Sequence, residues 1–191
     1  MILVDNFLPK ETFDIVDKIV ESRSSRDPET KRMGWTNLIW DTKLQKNSSL
    51  TFVVPTPELN ETLSNLFAKV DKKFEGVPLE SQFCVWGRGS TIPFHNDQHV
   101  AFGATIYLNK NWNIEDGGLF LWKDHNTHEL FVVNPVYNLC VINDLHEEHH
   151  VSVVNYAVDT PRLTLQVWAG VNEEIMEGTD ITVDNTAFSY R

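Results

Sequence analysis

The hydrophobic period of this chain changes once, near residue 80, and that change limits the folds open to it. Before it, apolar residues recur at helical spacing. Pro9 to Ser22 puts Phe13, Val16, Ile19 and Val20 on one face, with Pro9 suited to a first turn. Thr56 to Glu75 puts Leu59, Leu63, Leu66, Phe67, Val70 and Phe74 in one stripe. Thr56 can cap that helix, Pro57 fits its first turn, Lys72 and Lys73 suit its last turn, and Gly76 can stop it. After residue 80 the period is two. It predicts strands at Gln82–Trp86, Thr91–Phe94, Val100–Leu108, Leu119–Trp122, Glu129–Val133, Val136–Asn143, His149–Val154 and Leu163–Ala169, separated by Gly, Pro, Asn and Asp. Short strands behind two helices predict a mainly β, double-sheet antiparallel barrel supported by helices on one side. Strands do not alternate with helices, and no Gly-rich phosphate loop is present, so a doubly wound α/β fold is not expected.

Composition narrows the class. The 191 residues suit one domain, 1–191, and 41% hydrophobic with 23% charged residues suits a globular core rather than disorder. Within it, residues 1–80 read as helical support, 81–170 as the β core and 171–191 as a C-terminal extension. No apolar run is long enough for a membrane span, and Met1-Ile2-Leu3-Val4-Asp5 has no secretory pattern, so a cytoplasmic protein is expected. Cys84 and Cys140 lie in apolar runs and read as reduced core residues. The net charge of −11 argues against a nucleic-acid partner. Residues 21–50 run the other way, with six basic residues (Arg23, Arg26, Lys31, Arg32, Lys43, Lys46) against four acidic ones, a net +2.

The chemistry-bearing segment is Pro93-Phe94-His95-Asn96-Asp97. On a strand, residues i and i+2 point the same way, so His95 and Asp97 can take two adjacent positions on one metal. A histidine from another strand would complete a 2-His-1-carboxylate facial triad, which leaves positions open for co-substrate and O₂. His149, on a candidate strand 52 residues after Asp97, is one candidate. His150 and His146 are the alternatives, and a one-residue slip would flip the face presented. His99, His125 and His128 read as solvated. Further on, alternation puts Arg162, Thr164, Gln166 and Trp168 on one face, either solvent or the polar interior of a small barrel. An Arg buried there needs an anion, and a dicarboxylate would supply one, bidentate to the guanidinium. Tyr107 could add a phenol donor to the same carboxylate.

From Phe83 to Trp168 the chain resembles the prolyl 4-hydroxylase-like branch of the Fe(II)/2-oxoglutarate dioxygenases. The pieces stand in that family's order: Trp86-Gly87-Arg88-Gly89, His95-Asn96-Asp97, Tyr107-Leu108-Asn109-Lys110-Asn111-Trp112, Gly117-Gly118-Leu119-Phe120-Leu121, His149-x-Val151-x-x-Val154 and Arg162-x-Thr164. Val4-Asp5-Asn6-Phe7-Leu8 before a helix is similar to the family's opening. The resemblance implies a double-stranded β-helix, or jelly roll. It implies Fe(II) on His95, Asp97 and His149. It implies 2-oxoglutarate held by Arg162 with Tyr107, Thr164 and Trp86, and ascorbate as a helper of the iron. The implied reaction hydroxylates an unactivated C–H while 2-oxoglutarate and O₂ become succinate and CO₂. Asp97 favours hydroxylation, because the related halogenases carry a small residue there. A prolyl residue in a peptide or protein is the first expectation for substrate, then free proline or another amino acid. Related nucleobase-repair enzymes carry a second Arg six residues after the first, where this chain has Trp168. The family's mobile lid corresponds to Ser22–Ser49. Trp86 departs from the family's usual Tyr, and the loop between His149 and Arg162 is longer than usual. Two readings from other classes stay open: a non-catalytic jelly-roll binding module, and a cupin-type metal enzyme that binds metal without 2-oxoglutarate.

Overall fold

The computed structural model describes residues 1–22, 36–42, 45–53 and 55–171. Its elements run β1 (Ile2–Val4), α1 (Lys10–Ser22), β2 (Thr36–Thr42), β3 (Gln45–Val53), α2 (Pro57–Val70), β4 (Leu79–Trp86), β5 (Ile92–His95), β6 (Phe102–Tyr107), β7 (Phe120–Lys123), β8 (Leu130–Val133), β9 (Cys140–Asn143), β10 (His149–Val151) and β11 (Arg162–Ala169). A seven-stranded sheet has the order β1-β9-β6-β11-β4-β3-β2, and a four-stranded sheet has the order β5-β10-β7-β8; every pairing is antiparallel. This is the two-sheet barrel that the period-two region predicts. All eight predicted strands are present, with shifted ends.

The differences have local causes. The strand expected from Val136 begins only at Cys140, because Asn138 takes φ +63° and its side chain is committed elsewhere. Its Oδ1 accepts from Leu8 N (2.8 Å) and its Nδ2 donates to Leu8 O (2.9 Å), which ties the loop to the chain ahead of α1. Helix α2 stops at Val70 rather than Glu75. Asp71 turns extended (φ −151°) and its Oδ1 accepts from Lys73 N (3.0 Å), opening a 3-10 turn at Lys72–Phe74. Thr56 stands at the N-cap without a side-chain cap bond. Three strands, β1 to β3, precede residue 80, where the hydrophobic pattern predicts only helices and the resemblance implies a strand–loop segment over Ser22–Ser49. The segment expected to form a lid, Ser22–Ser49, includes β2 and part of β3, but residues 23–35 and 43–44 fall outside the described residues, as does the extension beyond residue 171. Among the described residues, no helix is long and apolar enough to cross a membrane.

The main core lies between the helices and the outer face of the large sheet. Leu59, Leu63 and Phe67 of α2, with Val16 and Ile19 of α1, pack on Phe83, Ala104, Ile106, Leu165 and Val167. Phe67 is its centre, with ring centroids 4.9 Å from Phe7, 6.4 Å from Phe74 and 5.2 Å from Phe102. Both cysteines are free and buried, as expected. With its outer face occupied by this apolar core, the large sheet turns its polar alternation inward, toward the small sheet. Phe67→Ala is expected to destabilise the fold by about 3–5 kcal/mol, a core-cavity cost. A urea titration would show it as a fall in midpoint at unchanged slope; an unchanged midpoint would contradict this packing.

Candidate metal and anion site

His95 ends β5, His149 begins β10, and the two are register partners in the small sheet. Asp97 follows β5 by two residues and is 8% exposed. Their ligand-capable atoms all lie within 4.8 Å of one another. His95 Nε2 is 3.6 Å from Asp97 Oδ1, and His149 Nε2 is 3.5 Å from Asp97 Oδ2. Each imidazole has its other nitrogen against a carbonyl: His95 Nδ1 is 2.9 Å from Pro93 O, and His149 Nδ1 is 3.1 Å from Glu147 O. A carbonyl only accepts, so His95 Nδ1 carries the proton against Pro93 O and its Nε2 turns a lone pair toward Asp97; His149 Nδ1 also meets the Asn143 amide nitrogen at 3.2 Å, so that ring is held from two sides with its Nε2 toward Asp97. This is the donor set that a divalent transition metal takes, held by outer hydrogen bonds.

The alternative histidines stand apart from this group. The His150 ring stacks on Phe94 on the opposite face of β10, 5.1 Å between centroids. His146 Nδ1 lies 3.1 Å from the backbone oxygen of Asp97, so that ring is a strut beneath the carboxylate's own peptide. His125 and His128 are exposed, as expected, whereas His99 is half-buried.

Arg162, at the start of β11, is 1% exposed. Its guanidinium carbon sits 5.9 Å from the Trp86 ring centre and 5.3 Å from that of Tyr107. Its Nε and Nη2 have no hydrogen-bond partner, and neither does the Tyr107 hydroxyl. Burial pulls the guanidinium below its ordinary range and pushes the Tyr107 phenol up to about 12, so the phenol keeps its proton. Trp86 Nε1 donates to Thr164 Oγ1 (3.1 Å), which leaves the Thr164 hydroxyl hydrogen to be donated onward. An unpaired cation with orphaned N–H groups is among the costliest things a protein can bury. A bound carboxylate would answer all of these donors at once.

Metal group and guanidinium line one cavity of about 60 Å³, together with Cys84, Trp86, Ile92, Thr105, Phe120, Val151, Gln166 and Trp168. The face of β11 carrying Arg162, Gln166 and Trp168 therefore looks into the barrel, not into solvent. Thr105 Oγ1 bonds Gln166 Oε1 (3.0 Å) across the strands.

Two glycines matter to the site through contacts beyond their own strand or turn. A Cβ on Gly103 would stand 2.9 Å from Asp97 Oδ2, so only glycine lets the carboxylate settle over β6. Gly118 has φ +61°, and a Cβ there would lie 2.6 Å from Arg162 Cδ. The Gly117-Gly118 pair thus provides close backbone approach as well as a turn. Sequence reasoning missed Asn143. Its Nδ2 donates to Glu147 O (2.9 Å) and its Oδ1 accepts from Glu147 N (3.0 Å), fixing the loop that delivers His149.

Burial, and then the proximity of His95, lower the His149 pKa from 6.5, against the opposing pull of Asp97. The folded metal-free protein therefore resists a proton that the unfolded chain accepts near pH 6.5. Stability should rise with pH up to that value and then level, with a slope from this one group of at most about 1.4 kcal/mol per pH unit. Urea midpoints of the metal-free protein across this range should show a flatter profile for His149→Gln than for the parent; superimposable profiles would contradict it.

No family model matches the sequence, and no curated protein does. Solved structures do match the fold. A prolyl-4-hydroxylase from Pseudomonas putida is similar with a TM-score of 0.65 at 17% identity, over 90% of this chain and 92% of that one. A prolyl hydroxylase from Trichoplax adhaerens, solved with a hypoxia inducible factor oxygen degradation domain peptide fragment, is similar with a TM-score of 0.64 at 15% identity, over 91% and 84%. A 2OG-Fe(II) oxygenase family oxidoreductase from Burkholderia pseudomallei is similar with a TM-score of 0.63 at 13% identity, over 88% and 84%. The chain has the jelly-roll-type fold shared by these prolyl-hydroxylase and 2OG-Fe(II) oxygenase structures.

Proposed function

We propose that this protein is an Fe(II)- and 2-oxoglutarate-dependent dioxygenase that hydroxylates an unactivated C–H bond. A prolyl residue in a peptide or protein is the proposed substrate, with a free amino acid as the second candidate. One observation carries the reading: a converging His95–Asp97–His149 group shares a cavity with a buried guanidinium whose Nε and Nη2 have no hydrogen-bond partner. A metal site alone would suit a cupin-type enzyme, and a polar barrel alone would suit a binding module. The orphaned donors beside the metal group are what a chelating dicarboxylate such as 2-oxoglutarate would satisfy.

In this reading His95, Asp97 and His149 would hold Fe(II). Arg162, Tyr107 and Thr164 hold the far carboxylate of 2-oxoglutarate, and Trp86 acts through Thr164 by fixing its hydroxyl. When bound, the iron and its co-substrate activate O₂, with 2-oxoglutarate going to succinate and CO₂. The chain's own work is orientation and exclusion. The Pro93 carbonyl holds the His95 ring, and the Glu147 carbonyl with the Asn143 amide holds the His149 ring. Phe120 stacks on His149 at 5.2 Å and, with Ile92 and Val151, keeps that side of the cavity apolar. Likeness of the fold to the two prolyl hydroxylases supports the prolyl proposal, as does the peptide seated on one of them.

With Fe(II), ascorbate and 2-oxoglutarate supplied, the protein should form succinate. Asp97→Ala should abolish this. Arg162→Ala should raise the 2-oxoglutarate concentration needed by about a hundredfold or more, the scale for losing one partner of a buried charge pair. Retained turnover in Asp97→Ala would overturn the ligand assignment, and an unchanged 2-oxoglutarate requirement in Arg162→Ala would overturn the anion site.

A further inference from the structure

The inner wall of the large sheet is charged at its two ends with opposite sign, and the mouth end has no role in the reading above. Register builds the wall in rows. Arg162 pairs with Trp86, Thr164 lies between Cys84 and Tyr107, Gln166 lies between Gln82 and Thr105, and Trp168 lies between Glu80 and Gly103. Directly opposite residues share a face. Trp168 lines the cavity, so Glu80 stands on the inner face beside it. The next residue, Ser81, confirms the alternation: it is 2% exposed and hydrogen-bonds Asn60 of α2 on the outer side. Glu80 is exposed, and Trp168 is half-buried. On β4 and β11 the only ionisable side chains of this face besides Cys84 are Arg162 at the deep end and Glu80 at the mouth, six strand residues or roughly 20 Å apart.

The row also sets a distance to the metal group. Gly103 is the strand neighbour of Trp168 and the residue over which the Asp97 carboxylate rests. Trp168 is therefore one strand spacing from the Asp97 platform and Glu80 two, roughly 5 and 10 Å. An indole and a carboxylate on neighbouring positions of one sheet face can attract a cation by two routes, the ring quadrupole and the charge. The chain's net charge of −11 adds a field of the same sign.

We infer that Glu80 and Trp168 form a cation subsite at the mouth, and that the substrate carries an alkylammonium or guanidinium several bonds from the carbon that reacts. This rests on the hydroxylase reading for what happens at the metal. The subsite itself is a binding property and is tested separately.

The probe is n-butylammonium, with butan-1-ol as its neutral counterpart, titrated into Zn(II)- and 2-oxoglutarate-loaded protein. The readout is the Trp168 indole N–H resonance, assigned with Trp168→Phe. Butylammonium should shift that resonance and bind about tenfold more tightly than butan-1-ol, and Glu80→Gln should erase the difference. Glu80 is exposed and the change is isosteric, so folding is not at stake. Free L-lysine and a blocked lysine-containing pentapeptide then separate the sources: a shift from lysine alone assigns a small amine, and a shift from the peptide assigns a basic side chain. Equal shifts from butylammonium and butan-1-ol, no shift from either, or an unchanged preference in Glu80→Gln would overturn the inference. Absence of succinate formation in the parent would instead count against the hydroxylase reading and leave the cation titration to stand or fall by itself.

Discussion

Arg162 is held 1% exposed between the rings of Trp86 and Tyr107, with two of its nitrogens unpartnered. Few arrangements are as unfavourable for a protein without a ligand, because the desolvation of a cation exceeds what ring contacts return. Much of the barrel is shaped around this group. Gly118 leaves room for its methylenes, Trp86 and Thr164 line up a further hydroxyl beside it, and the helices cover the opposite face of the same strand. Burial of an unmatched positive charge on a strand that also faces a His–Asp–His group is the constraint from which the functional proposal follows.

The two sheets divide the labour. The small sheet supplies both histidines as register partners on adjacent strands, so their separation is set by backbone pairing rather than by loops. The large sheet supplies the buried, unpartnered donors of Arg162 and Tyr107 and, through Gly103, the floor on which Asp97 rests. A bound metal and a dicarboxylate would draw on both sheets, on His95 and His149 from one and on Arg162 from the other. The cation subsite proposed at Glu80 and Trp168 extends the same wall outward, giving it a positive end for a co-substrate carboxylate and a negative end for a substrate amine.

Much of this was legible in the sequence because alternation reports which face a residue takes. His95 and Asp97 are two apart on one strand, and Arg162, Thr164, Gln166 and Trp168 share one face of another; both readings need only local geometry. The resemblance to the family's His-x-Val segment points to His149 over its neighbour, and the structure turns His150 to the opposite face against Phe94. What stayed hidden depends on partners distant in sequence. Gly103 matters because Asp97 folds over it, and Asn143 because it clamps Glu147. The indole of Trp86 finds Thr164 across 78 residues. Strands β1 to β3 gave little local signal: β1 has three residues, and β3 opens on the polar run Gln45-Lys46-Asn47-Ser48-Ser49. Their pairing comes from the edges of a sheet that already exists.

The most direct test of the central claim is anaerobic visible absorbance of the protein with Fe(II), before and after 2-oxoglutarate is added. The account predicts a metal-to-ligand charge-transfer band that appears only with 2-oxoglutarate, vanishes in His149→Ala and weakens in Arg162→Ala. A protein that binds iron but shows no such band at saturating 2-oxoglutarate would contradict it, and would turn the buried guanidinium into a site for some other anion.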